Sequence, residues 1–411
     1  MMQTLKGFRD YIGCDARKRV WLVSLLRDVF TSYGFEPLET PALEYEALLL
    51  GKYGEEADKL IYGFEDHGGR RVALRYDQTV PTARVISQYR SSIPLPYKRY
   101  QIQPVWRAEK PQKGRYREFL QCDIDTIGTT SPFSDAEILA VVADVFSRLE
   151  LPVTIKVNDR SSLLSTVAAT GIEESQIPKV LQTIDKLDKK STDEVVAELR
   201  ERGVTKEQAK KIFESFAANT PSDSLKIIMT QACALGVPGY MLAYSPSLVR
   251  GLDYYTGIIL EVVLKDAPGS LGGGGRYDNL VRDLVGYDVP AVGMAFGFDR
   301  ILEALEEAGN LPETATRGAR VLVASNDATV ADFCAEVARR LRKSGIAVLS
   351  YPDPEKKLEA QIKYAVAKDI TNLLIIAQKE KSTGTVTLKN LQTRVQEILP
   401  VDTVIRKLRE A

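Results

Sequence analysis

The stretch KRYQIQPVWRAEKPQKGRYREF, Lys98 to Phe119, reads as a strand, a loop broken by proline and glycine, and a return strand. It carries seven basic residues against two acidic ones. A hairpin of this kind brings Arg107, Lys113, Arg115 and Arg117 near one another. Guanidinium forks bind phosphate oxygens bidentately, so the stretch is a candidate triphosphate cradle. On composition alone a solvated hairpin with snorkelling side chains is the favoured reading, since charge runs are usually surface. Phe119 beside the cluster either stacks on a base or belongs to a core.

Working outward, the runs Arg71–Leu74, Tyr97–Arg107 and Glu118–Ile127 read as strands, with a helix at Asp15–Tyr33 ended by Gly34. GFEPLETPALE is extended and punctuated by Pro37 and Pro41. A helix over Ser134–Leu149 and a strand over Val153–Val157 follow, so the first part is a sheet decorated by helices. From about Ser161 to Leu235 the chain turns charged, aromatic-poor and helical, with Asp193 and Thr205 as expected caps. Strand-like sequence returns at Ile258–Leu264, followed by a glycine run and the helix-forming AVGMAFGFDRILEALEEAG. A helical stretch between two sheet-like stretches suggests an insertion. After the linker-like NLPETATRG, strand and helix alternate to the end, as in a small α/β domain. That segment, 318–411, holds 16 Lys and Arg against 11 Asp and Glu, which permits an RNA-binding face.

The 411 residues suggest two or three domains. Lys plus Arg and Asp plus Glu balance at 55 each, so a nucleic-acid surface must be local. No apolar run is long enough to span a bilayer, and MMQTLKGFRD lacks an apolar signal core, so a cytosolic chain without membrane contact is expected. Cys14, Cys122, Cys233 and Cys334 are scattered, without the paired spacing of a zinc ribbon. His67 is the one histidine in the sequence, so chemistry that needs two histidines is excluded. What remains is chemistry based on arginines, carboxylates and hydrogen bonds.

Four further constellations carry polar groups at special positions. In LVRGLDYYTG, Arg250 and Asp253 flank a glycine and Tyr254 and Tyr255 follow; the alternative is a turn entering the strand GIILEVVL, with the two tyrosines alternating in and out. LGGGGRYDNLV removes side-chain bulk and allows close backbone approach, or is a flexible turn. In LRYDQTVPTAR, Asp77 and Thr79 can bind an amine, or Asp77 can cap a turn. In GFDRILEAL, Arg300 stands at a glycine-rich helix entry that suits phosphate, or is a structural arginine at a helix start.

Together these residues resemble the class II aminoacyl-tRNA synthetases. GFEPLETPALE is similar to the family's motif 1, VWRAEKPQKGRYREFLQCDID to motif 2 and AVGMAFGFDRIL to motif 3. RGLDYYTG and GGGGRYDNL resemble the two signature stretches of the histidyl enzymes. The resemblance covers nearly the whole chain. It implies an α/β protein with an α+β catalytic domain on an antiparallel sheet (1–158 and 240–310), a helical insertion domain (159–239) and a C-terminal α/β anticodon-binding domain (318–411). The activity implied is that of a cytoplasmic, homodimeric histidine–tRNA ligase. It forms histidyl-adenylate from L-histidine and ATP with Mg²⁺, without zinc, and passes histidine to the 3′ end of tRNA(His).

By motif position, the resemblance places Arg107 and Arg250 at the reacting phosphate as catalytic groups. Arg107, Glu109, Arg115, Phe119 and Arg300 would hold ATP, with Phe119 and Arg300 on opposite faces of adenine. Asp77, Gln78, Thr79, Arg107, Gln121, Asp125, Arg250, Tyr254, Tyr255 and Tyr277 would hold histidine. Asp77 stands where many bacterial members have glutamate, and the opening LKGFRDYIG lacks the family's usual proline. Two rivals share the fold. One is an inactive paralogue that regulates ATP phosphoribosyltransferase, which typically lacks the C-terminal domain and an intact RGLDYY. The other is a nucleic-acid-binding accessory module, which would not need the full arginine set.

Overall fold

The computed structural model of the chain describes residues 2–50, 58–111, 116–188, 190–218, 220–250, 254–265, 269–325, 327–353 and 356–410. The chain divides into two compact units: the residues up to Asp10 with Leu22–Asn310, and Tyr11–Trp21 with Leu311 onward.

In the first unit the described strands are β1 (Glu36–Pro37), β2 (Leu43–Tyr45), β3 (Gly63–Glu65), β4 (Arg71–Leu74), β5 (Tyr97–Trp106), β6 (Glu118–Ile127), β7 (Val153–Asp159), β8 (Leu242–Tyr244), β9 (Ile258–Leu264), β10 (Ser270–Arg276) and β11 (Ala291–Phe296). Among the described residues, eight of them form one sheet in the order β1-β5-β6-β11-β10-β9-β7-β8, and β2-β4-β3 form a small one. The large sheet is antiparallel from β5 through β7, and its two edge strands join in parallel.

Strand side chains alternate between faces, and here the two faces have opposite chemistry. Tyr100, Cys122, Ile124, Met294 and Phe296 share the apolar face. Phe30, from the helix Gly13–Ser32, meets the rings of Tyr100 and Phe296 there, at 5.6 and 5.5 Å. The helix Pro132–Arg148, capped by Ser131, adds Phe146 against Phe296. On the other face, Arg99, Gln101 and Gln103 stand opposite Asp125, Asp123 and Gln121. A row of buried polar groups is tolerated only when partners satisfy it, so this face points to function.

The glycine run is not a turn but strand β10, paired on both sides. A Cβ on Gly274 would overlap the carbonyl of Gly293, and one on Gly272 would come within 2.7 Å of the Ala295 carbonyl. The missing side chains therefore serve close packing within the sheet.

Between β7 and β8 lie the helices Arg160–Ala168, Ile177–Ile184, Thr192–Glu201, Lys206–Ala218 and Asp223–Ala234. Ser191, not Asp193, caps the third, in a reciprocal arrangement with Glu194; Asp193 falls in the first turn. Thr205 does cap the fourth, accepting from the Gln208 amide. These helices bury Leu163, Leu181, Ile184, Val195 and Ile212 in a cluster that also includes Tyr255 and Tyr277.

In the second unit, β12 (Val321–Ala324), β13 (Val348–Ser350), β14 (Asn372–Ile375), β15 (Thr385–Asn390) and β16 (Gln396–Pro400) form a sheet ordered β13-β12-β14-β15-β16. The first three are mutually parallel and the last two antiparallel. The helices Ala331–Lys343 and Val401–Glu410 bury Val337, Leu341, Val404 and Leu408 in one core cluster, and Leu358–Ala367 buries Ala365 in another. Arg17 joins this unit, its Nε donating to the Thr316 carbonyl at 2.8 Å.

Candidate active site

A cavity of about 390 Å³ opens on the polar face of the large sheet. Arg107, Glu109, Phe119, Gln121, Arg250 and Arg300 line it, above a floor that includes Gly272, Gly273 and Ala295. Its glycines leave room for a flat ligand, and Arg107, Arg250 and Arg300 outnumber the acidic Glu109 and Asp299 in its lining. The cavity thus joins four separate sequence stretches: the hairpin, RGLDYYTG, the glycine strand and GFDRIL. Arg115 and Lys113 of the hairpin loop lie outside the described residues.

Arg107 follows β5 and is held by its surroundings. Its Nε donates to the Tyr76 carbonyl at 3.2 Å, and its guanidinium lies 4.4 Å from the Tyr76 ring and 5.1 Å from the Phe119 ring. Arg250 has φ of +54°. Its Nη1 donates to Glu261 Oε1 on β9 at 3.2 Å, and a Cβ on Gly273 would overlap its guanidinium. The glycine thus seats the arginine flat on the sheet. Burial opposes the Arg250 charge, but Tyr255, Glu261 and Tyr254 hold it above its ordinary value. Arg300, in the helix Phe298–Ala308, donates from Nη1 to the Ser270 carbonyl at 3.0 Å.

Deeper along β6 lies a polar cluster. Asp125 pairs with Arg99 at 2.5 Å and accepts from the Tyr277 hydroxyl. A Cβ on Gly293 would overlap Asp125, so glycine on β11 admits that carboxylate. Tyr254 lies 4.7 Å from Tyr255 and 6.0 Å from Tyr277, ring to ring. Gln78 Nε2 donates to the carbonyls of Gln103 and Gln121, at 3.0 and 3.1 Å. Asp77 Oδ1 accepts from the amides of Thr79 and Val80 at 3.1 and 3.3 Å, the capping role open to it from sequence. Burial raises Asp125, partly offset by Arg99 and the Tyr277 hydrogen bond. Burial also pushes Asp123 up to about 8, with Arg99 opposing.

Several contributing residues escape a reading of sequence alone. Arg9 donates to Asp299 at 3.2 Å and lies 3.2 Å over the Tyr116 ring at the cavity edge. Arg99 is buried, and composition alone does not set it apart from a surface arginine in the basic stretch KRYQ. Arg276 holds Asp135 through two nitrogens, at 3.0 and 2.9 Å, and so ties the residue before Tyr277 to the first turn of the helix Pro132–Arg148. Glu261 sits in IILEVVL, where a lone buried carboxylate was the one available signal.

A larger cavity, about 540 Å³, lies in the second unit beside Arg320, Asn372, Asn390 and Lys407. Size does not make it the reaction centre, because it lacks the convergence of arginines, aromatics and buried carboxylates seen in the first unit. Among the described residues no group of three or more His, Cys, Asp or Glu side chains is arranged to hold a metal ion.

Comparison with known proteins agrees with this geometry. The family described as histidyl-tRNA synthetase matches residues 7–301, and the anticodon binding domain family matches residues 319–411. The histidine–tRNA ligase of Rhodopirellula baltica is 40% identical over 417 residues, covering 95% of this chain and 94% of that one. That of Gloeobacter violaceus is 37% identical, with 97% of each chain covered. The histidyl-tRNA synthetase structure from Nostoc sp. PCC 7120 matches with a TM-score of 0.88 and 29% identity over 100% of both chains. With a family match over most of its length and relatives this close along nearly all of it, the chain belongs to the histidyl-tRNA synthetase family.

Proposed function

We propose that this histidine–tRNA ligase binds ATP, as its magnesium complex, in the cavity over Gly273 and Ala295, with histidine beside it along β6. Adenylate formation brings the histidine carboxylate to the α-phosphorus, so two anions must meet. Attack forms the acyl–phosphate bond and expels pyrophosphate. The fixed charges of Arg107 and Arg250 offset that repulsion and stabilise the negative charge of the transition state. Phe119 and Arg300 sandwich the adenine, while Glu109 and Arg115 serve the adenine and outer phosphates.

Histidine lies among Asp77, Gln78, Thr79, Gln121, Asp125, Tyr254, Tyr255 and Tyr277. Neutral imidazole has one donor and one acceptor; Asp125 takes the N–H, and a tyrosine hydroxyl serves the other nitrogen. An analogue that leaves such groups unpaired loses roughly 10⁴-fold or more, so selection needs no editing step. In the second step the tRNA(His) 3′ end attacks the activated carboxyl and AMP departs.

The observation that carries this reading is the convergence of Arg107, Phe119, Arg250 and Arg300 on one cavity beside the Asp125–Tyr277 pair. We further assign residues 1–158 and 240–310 to catalysis, 159–239 to a helical insertion and 318–411 to the anticodon, in a cytoplasmic homodimer. Purified protein should exchange pyrophosphate into ATP with histidine and with no other amino acid. Exchange supported by a different amino acid, and not by histidine, refutes the reading.

A further inference from the structure

The polar face of the β5–β6 hairpin sets one cation, Arg99, against two buried carboxylates, Asp123 and Asp125. Asp125 engages Arg99 and the Tyr277 hydroxyl. Asp123, two residues away on the same face, engages a different group: Gln121 Nε2 donates to Asp123 Oδ2 at 2.7 Å. That bond decides which way the Gln121 carboxamide lies. The carboxyl oxygen takes the NH₂ end, so Gln121 Oε1 is turned away from it. Among the described residues, the buried Gln121 Oε1 accepts no hydrogen bond, and neither does the buried Gln78 Oε1 beside it. The amide nitrogens of both residues are spent inward, on Asp123 and on the carbonyls of Gln103 and Gln121. Gln121 borders the cavity, and its carboxamide oxygen is an acceptor with no protein donor among the described residues. Histidine is rich in donors, with an ammonium group and a ring N–H.

We propose that Asp123 is a positioning residue for histidine selection, fixing the Gln121 carboxamide so that its oxygen, not its NH₂, meets a substrate N–H. Asp123 itself touches no substrate. Without it the carboxamide can turn over and set its own donors against those of histidine, leaving both sides unpaired. The bond survives protonation of Asp123, because the proton can sit on Oδ1 while Oδ2 still accepts. The proposal rests on the placement of Gln121 in the histidine pocket, and the test separates the two ideas.

Histidine and ATP KM values in pyrophosphate exchange are measured for the full-length protein and for Gln121→Ala, Asp123→Ala and the double variant. Asp123→Ala leaves Arg99 matched one to one with Asp125, so the fold should hold; Asp123→Val, nearer in volume and without an acceptor, replaces it if it does not. Each single variant should raise the histidine KM about tenfold, the scale of one hydrogen bond to a charged donor, and leave the ATP KM unchanged. The double variant should be no worse than Gln121→Ala, since Asp123 acts through Gln121. If Gln121→Ala raises the histidine KM and a folded Asp123 variant does not, or if the two effects multiply, Asp123 has no positioning role. If Gln121→Ala leaves the histidine KM unchanged, the pocket assignment of Gln121 falls and the proposal falls with it.

Discussion

At Arg250 the chain accepts a backbone conformation that costs a residue with a Cβ about 1–2 kcal/mol. The return is a guanidinium laid against Gly273 and held by Glu261. Removing a charged donor from a transition state costs roughly 10²–10³ in kcat, and Arg250→Ala should show that loss. Glu261→Gln keeps the shape but weakens the grip. It should lower kcat by a smaller factor and leave the histidine and ATP KM values near normal. Equal exchange rates for wild type and Glu261→Gln would mean that Arg250 is placed by Gly273 alone. Asp123 gives a second test through pH. Arg99 on β5, Gln121 and Asp125 on β6, and Asp77 before the helix Thr79–Gln88 surround it, and burial pushes it up to about 8. An unfolded aspartate releases its proton near pH ~4. Between those limits the folded chain holds the extra proton, so this group's contribution to stability falls as pH rises and levels off above about 8. The melting temperature of Asp123→Asn relative to wild type should therefore climb between mildly acidic and mildly alkaline pH. A pH-independent difference would show that Asp123 is ionised throughout.

At the level of elements, two contacts hold the pocket open and aligned. Gly293 gives Asp125 its space, so Gly293→Ala should displace the carboxylate and raise the histidine KM more than the ATP KM. Arg276 pins the end of β10 to the helix Pro132–Arg148 through Asp135. Breaking a buried pair from one side costs about 3–5 kcal/mol, so Arg276→Ala should lower the melting temperature markedly and loosen Tyr277; an unshifted melt would deny the pair a structural role. The hairpin was legible because period-2 patterning and a Pro/Gly break are local signals, and β4, β6 and β9 fall where those signals put them. β10 was not, because four glycines carry no β propensity of their own. They form a strand because β9 and β11 pair on either side and leave no room for a Cβ. β16 and the helix Gln378–Thr383 were also missed: one is a five-residue strand whose side chains are half-buried or exposed, and the other has six residues in which no apolar period can show. Arg107, Arg250 and Arg300 could be linked by resemblance, but Arg99 and Glu261 stand out only once the fold sets them against Asp125 and Arg250.

At the scale of the whole molecule, the activation chemistry and the C-terminal sheet have separate cores. Every described residue assigned to the reaction lies in the first unit, before Asn310. The second unit closes its own core around Val323, Leu341, Leu374 and Val404. Removing residues 318–411 should therefore divide the two half-reactions. The cut has a consequence that sequence did not disclose, because Tyr11–Trp21 cluster with the second unit and Arg17 loses the end of a chain it hydrogen-bonds beside. Some loss of stability is expected, so rates must be normalised to sites that form adenylate in a single turnover. On that basis histidine-dependent pyrophosphate exchange should persist per active site. Charging of tRNA(His) should drop steeply, because the deleted segment is the one that matches the anticodon binding domain family. Each lost phosphate contact also reduces the salt dependence of tRNA binding, so log affinity against log salt should have a shallower slope in the truncated protein. A truncated protein that charges tRNA(His) as fast as the intact one, with the same salt slope, would remove the second unit from tRNA recognition.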